Sequence, residues 1–219
     1  MRLLLVAATD LEVAPLRTAL AAQPDVQVVV TGVGMVATAA RVGRALSRER
    51  FDLALNVGVC GALDRGLPLG AVVHVASDYC SELGVEDGPV FIAADRVGLV
   101  GADEAPYRAG RLRNTAPPNS LTLASLPVVS GITVNTVHGD DGSIAALRAR
   151  CDAQVESMEG AAFMYACLDA GLPFAQVRAI SNYVERRNRA AWQMEAAIGA
   201  LSRTTMAIVS DLVRGPSAD

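Results

Sequence analysis

Two acidic residues set among small and apolar neighbours are the first chemistry in this chain. Glu12 follows an apolar run, in Thr9-Asp10-Leu11-Glu12, and Glu159 lies in Glu156-Ser157-Met158-Glu159-Gly160-Ala161-Ala162. A carboxylate among apolar groups needs hydrogen-bond donors, and sugar hydroxyls are one such partner. On position alone, Glu12 also reads as a helix N-terminal charge. Glu156 and Glu159 also read as a solvated first turn, and Asn182 as a loop amide. Gly32 and Gly34 lack the third glycine and the acidic partner of a dinucleotide fingerprint, so they read as a tight strand-to-helix turn. Gly58-Val59-Cys60-Gly61 lets backbone approach a ligand closely.

The elements that must position these residues follow from periodicity. Apolar runs at Leu3–Ala8, Val26–Val30, Leu53–Val59, Val72–Ser77, Pro127–Val134 and Phe174–Ile180 predict buried strands, with a brief one at Gln154–Glu156. Helices are predicted from Thr9 to about Ala22, over Val36–Arg48, Ser143–Arg150 and Met158–Ala170, and over Arg189–Val213. Gly171 closes the fourth of these. The stretch from Tyr79 to Pro127 has weak periodicity and predicts loops that cover a site. Strands alternating with helices predict an α/β sandwich of three layers with a mostly parallel or mixed central sheet. Asp10/Glu12, Gly32/Gly34, Gly58–Gly61, Asn135–Gly139, Glu156/Glu159 and Ser181-Asn182 each fall after a strand. In such a sheet they converge at the carboxyl edge, where ligands bind.

Composition fits one α/β domain over residues 1–219: 52% of residues are apolar and 19% charged. A net charge of −4 gives no electrostatic reason to expect nucleic acid as partner. Cys60, Cys80, Cys151 and Cys167 form no C-x-x-C pair, and two histidines make no metal cluster. These cysteines read as reduced and packed, in a cytoplasmic protein. No apolar run is read as long enough to span a membrane. Met1–Ala8 has the look of a signal segment, but Asp10 and Glu12 interrupt it, so a buried first strand is expected.

V-E-S-M-E-G-A-A at 155–162 and R-A-I-S-N at 178–182 resemble the nucleoside phosphorylase and nucleosidase superfamily. A-A-T-D-L-E-V at 7–13, T-G-V-G-M at 31–35 and N-V-G-V-C-G-A-L at 56–63 resemble further segments of it in the same order. S-N-Y-V-E-R-R-N-R-A-A-W at 181–192 is similar to the signature of the futalosine hydrolases within it. The resemblance implies a homo-oligomer, a dimer or larger, with no cofactor and no metal. It also implies hydrolysis of the N-glycosidic bond of futalosine in menaquinone biosynthesis, releasing hypoxanthine and dehypoxanthine futalosine. Glu12 would then activate water, and Glu159 would bind the ribose hydroxyls beside Met158. Val59, Cys60 and Gly61 would flank the base, with Thr136 and Val137 as its other wall.

Asn182 stands where nucleosidases for methylthioadenosine carry Asp. Adenine offers an N7 acceptor and an N6 donor, whereas a 6-oxopurine offers two acceptors. An amide can donate to both, so Asn182 predicts hypoxanthine as the base. The other readings are a nucleosidase for methylthioadenosine, S-adenosylhomocysteine or aminodeoxyfutalosine, a phosphorylase acting on inosine, and a nucleoside-binding protein. Apolar residues at 35–37 and Val59-Cys60 offer no hydroxyl to a phosphate, which favours water. An arginine from Arg108/Arg111/Arg113 or Arg186/Arg187/Arg189 is expected to meet the carboxylate of the substrate. His138 reads equally as a substrate contact or as structural, His74 as structural, and Trp192 as packing.

Overall fold

The computed structural model describes residues 1–214, so residues 215–219 of the expected domain lie outside the described residues. β1 (Leu3–Ala7) leads into α1 (Asp10–Val13), a 3-10 turn at Ala14–Leu16, and α2 (Arg17–Ala21). The sequence predicts one helix here. Pro15 divides it, because proline has no amide hydrogen to give to the helical ladder. β2 (Val26–Val30) passes through Gly32 and Gly34, at φ 82° and 97°, into α3 (Met35–Arg48). β3 (Leu53–Ala62) is followed by β4 (Val72–Asp78).

The stretch expected to be irregular holds a hairpin of β5 (Gly84–Asp87) and β6 (Val90–Ala93), a short β7 (Leu112–Arg113) on β4, and α4 (Leu121–Ser125). β8 (Val128–Thr133) precedes α5 (Asp141–Arg150), whose first turn is capped by the Asp140 carboxylate accepting from Gly142 and Ser143 N–H. Then come β9 (Val155–Ser157), α6 (Gly160–Asp169) and β10 (Phe174–Tyr183). A separate 3-10 turn at Arg189–Ala191 precedes α7 (Met194–Arg214), where the sequence predicts one helix throughout.

β1 is buried at all five positions, and its side chains alternate between two cores. Leu3, Leu5 and Ala7 belong to the core that holds Ala197, Leu201, Ile208 and Val209 of α7. Leu4 and Val6 belong to the core that holds Val42 of α3 and Phe163, Met164 and Cys167 of α6. Helices on both faces give the three-layer α/β sandwich expected. Within the described residues α7 is the one helix long and apolar enough to cross a membrane, over Met194–Val213 with mean hydropathy 1.3. The sequence reading finds no such run, and the apolarity of α7 is accounted for in part by the core face it packs on the sheet.

The sheet is mixed. β1 pairs in parallel with β2 and β3, and β3 with β10. β10 pairs antiparallel with β4, β4 parallel with β8, β8 parallel with β9, and β9 antiparallel with the end of β3. The strands β3, β10, β4, β8 and β9 therefore close a ring. β3 and β10 each run past the predicted end, from Val59 to Ala62 and from Ile180 to Tyr183. The extra residues pair with one another and with β9, which is a non-local cause that periodicity cannot register.

Candidate active site

The last turns of β3 gather the chemistry. At Gly58 a Cβ would lie 2.7 Å from Glu12 Oε1 and 2.9 Å from Arg178 Nη1, so only glycine lets both side chains reach this point. Glu12 stands in the first turn of α1 and is 6% exposed. Its Oε2 accepts from the Thr9 N–H and hydroxyl, both at 2.9 Å, and its Oε1 from the Val59 N–H at 3.1 Å. The carboxylate is thus oriented by backbone on two sides.

Glu159 stands at the N-terminal boundary of α6, where its side chain accepts no hydrogen bond from the helix, and is 8% exposed. Its Oε1 accepts from the Gly34 N–H at 3.0 Å, which ties the β2–α3 turn to the β9–α6 junction. The positive φ of Gly34 makes that N–H available to it. Burial raises the Glu159 carboxyl above the usual range, and nearby Glu12 adds to this, while Arg178 and the Gly34 N–H act the other way. Glu12, Arg178 and Glu159 therefore form one electrostatic group.

Arg178 is absent from the sequence-derived site. It is 1% exposed in β10, its Nη2 donates to Asn56 Oδ1, and its Nε has no partner among the described residues. Asn56 is held by donating to Val6 O at 3.2 Å. A signal was available, because a charged residue in the middle of a mainly apolar strand demands a reason.

Asn182 lies within β10, not in the loop after it. A register shift between Ile180 and Asn182 makes Ser181 a bulge and sets Asn182 opposite Gly61. Its Oδ1 accepts from the Ser181 hydroxyl at 2.8 Å and its Nδ2 donates to Tyr183 O at 3.0 Å. A Cβ on Gly61 would lie 3.2 Å from Nδ2, so the bare strand leaves room at the amide. Gly61, Val137, His138, Glu156, Asn182, Tyr183, Glu185, Arg187 and Trp192 line one small cleft.

Of the other expected residues, Val59 and Cys60 lie in β3 beside Glu12, and Met158 packs against a cluster containing Ile132, Val134 and Leu147. Thr136 sits on the exposed loop outside the cleft lining, while Val137 lines it. Burial pushes the Cys60 thiol up to about 12, which leaves it a packed thiol. His74 is buried in β4 with its basicity lowered by burial, in keeping with a structural place. Of the two arginine groups, Arg187 reaches the cleft and stacks on Trp192, while Arg111 pairs with Asp152 and stacks on Tyr79.

A sheet edge that gathers two buried carboxylates, a buried guanidinium and a side-chain amide defines a class, and the sequence assigns it. Residues 12–214 match the model of the phosphorylase superfamily, and the chain belongs to that family. It is 30% identical over 181 residues to the futalosine hydrolase of Thermus thermophilus, covering 83% of this chain and 80% of that one. It is also 30% identical over 184 residues to the futalosine hydrolase of Acidothermus cellulolyticus, covering 83% and 74%. The fold is shared with a methylthioadenosine/S-adenosylhomocysteine nucleosidase of Colwellia psychrerythraea in complex with adenine, at TM-score 0.76 and 19% identity over 97% of this chain and 96% of that one. A futalosine hydrolase of Helicobacter pylori matches at TM-score 0.76 and 14% identity, covering 97% and 98%.

Proposed function

We propose that this protein hydrolyses the N-glycosidic bond of futalosine, releasing hypoxanthine, in the cytoplasm as a step of menaquinone synthesis. The observation that carries the reading is the meeting of Glu12 and Arg178 at Gly58, with the buried Glu159 close enough to feel the charge of both. Glu12, held by three donors, takes a proton from water. The water oxygen bonds to the anomeric carbon as the bond to the purine nitrogen breaks, and that electron pair goes to the base. Arg178 holds the water or a ribose oxygen. Glu159 binds ribose hydroxyls, and its charge stabilises the oxocarbenium-like state. Asn182 donates to the 6-oxopurine edge.

Residues 1–219 act as one catalytic domain in this reading, within a homo-oligomer. Support for assembly comes from an apolar groove between α3 and α6, lined by Met35, Val36, Ala39, Ala162 and Tyr165, with Val36 79% exposed. Cofactor and metal have no part in the chemistry proposed.

A second reading, phosphorolysis, is favoured by the partly unsatisfied guanidinium of Arg178. A phosphate beside Arg178 would also face Glu12, which argues for water. Futalosine, inosine and methylthioadenosine are to be compared with and without phosphate, following release of free base. Phosphate-independent release, fastest from futalosine, is expected. Strict dependence on phosphate establishes the second reading, and faster cleavage of methylthioadenosine overturns the base assignment.

A further inference from the structure

His138 and Glu156 form a buried pair on the far side of Gly61 from Asn182. The His138 backbone N–H donates to Glu156 Oε1 at 2.9 Å, and its ring Nδ1 meets Glu156 Oε2. Their side chains are 10% and 3% exposed. Glu156 is in register with Gly61 from β9, and Asn182 is in register with Gly61 from β10. All four residues line the same cleft. A carboxylate on Nδ1 fixes the ring and leaves Nε2 as its working atom. Nε2 makes no hydrogen bond among the described residues. The other titratable groups of the cleft are Tyr183, Glu185 and Arg187. Glu185 is paired with Arg65, and Arg187 stacks on Trp192.

Resting on the proposed glycosidase reading, we propose that His138 is the acid that protonates the departing purine, with Glu156 as its positioning residue. A proton donor at the base lowers the barrier to its departure. An Asn amide can hydrogen-bond a leaving purine but has no proton to transfer to it. As the glycosidic bond breaks, its electron pair goes to the purine ring, and the Nε2 proton of the imidazolium goes to a purine nitrogen. The water oxygen joins the anomeric carbon, and the water proton goes to Glu12. Solvent carries that proton back to His138, so the products are free purine and free sugar.

The test compares a substrate whose base needs a proton with one whose base does not. Inosine and futalosine need it, whereas 7-methylinosine leaves as a neutral base without one. His138→Ala is expected to lower kcat on futalosine and inosine by about 100-fold, the scale of general acid catalysis, with KM within about threefold. On 7-methylinosine the loss stays under about tenfold, because proton transfer is bypassed. Glu156→Gln, which keeps a hydrogen-bonding partner for the ring, is expected to show the same selective loss to a smaller degree. Thermal unfolding of both variants checks that they fold. An equal loss on all substrates, or no loss, overturns the inference. Free hypoxanthine binding, measured by calorimetry, gives an arm independent of turnover, with about tenfold weakening expected in His138→Ala. A wild-type protein that binds hypoxanthine through His138 yet cleaves no nucleoside contradicts the glycosidase reading alone. Unchanged binding and unchanged turnover in the variant contradict the role of His138 alone.

Discussion

Arg178 and Asn182 leave the same strand within five residues and have different work. Arg178 is enclosed, forms no ion pair among the described residues, and lowers the proton affinity of Glu159. In the proposed reaction Glu159 is ionised, binding hydroxyls and stabilising the cationic sugar. In Arg178→Met the Glu159 carboxyl therefore rises further, and the acid limb of kcat/KM is expected to move to higher pH. A pH profile of both proteins checks this, and a limb that stays in place contradicts the coupling. Asn182→Asp is expected to shift the ratio of 6-aminopurine to 6-oxopurine cleavage towards the amino substrate by about 10- to 150-fold, since a mispaired buried polar group costs roughly 1–3 kcal/mol. Competing futalosine against its 6-amino analogue measures that ratio. Glu12, Glu159 and Asn182 were legible in the sequence because they sit in segments with family-like spacing. Arg178 and Asn56 were not, because each sits inside a mainly apolar strand, and strand periodicity assigns such positions to the core.

The junction of β4, β8, β10 and α6 is held by a buried carboxyl. Asp78 Oδ1 accepts from the Thr133 hydroxyl at 2.9 Å, and its Oδ2 from Gln176 Nε2 at 3.1 Å. Thr133 Oγ1 in turn accepts from the Ala161 N–H at 2.7 Å, which anchors the start of α6 one turn from Glu159. Gly160 is required at this point, since a Cβ there would collide with Asp78 and Gln176. Burial raises Asp78 from 3.8 to about 6, against the opposing pull of its hydrogen bonds and Arg178. A raised carboxyl binds more protons folded than unfolded, so its contribution to stability is present in full below about 3.8 and is lost as pH rises through about 6. Asp78→Asn removes that loss. Its amide can donate to Gln176 Oε1, which lacks a partner among the described residues. The variant is expected to unfold a few degrees above the parent at pH 8, with the gap closing towards pH 4. Calorimetric scans across that range check it, and a pH-independent gap contradicts it. The sequence predicted the element order well, and it ended β3 and β10 too early. Those last residues are strand only because β9 and the Ser181 bulge pair with them.

The ring of strands carries residues 58, 159, 178 and 182, and β1 and β2 beside it carry residues 12 and 34, so the site depends on the whole sheet. The layers and the convergence were readable from alternating strands and helices, whereas closure was not, since it rests on two antiparallel joints with no local signature. Outside the site the groove between α3 and α6 is the apolar surface proposed for assembly. Val36→Glu is expected to shift sedimentation towards the monomer, and an unchanged oligomer contradicts use of this face. Activation of water by Glu12 is the central step of the proposed reaction. Its direct measurement is hypoxanthine release from futalosine in phosphate-free buffer by the wild type and by Glu12→Gln. The wild type is expected to turn over without phosphate, and the variant to lose about 100- to 10,000-fold in kcat with little change in KM. A variant that keeps its turnover, or a wild type that needs phosphate, contradicts the account.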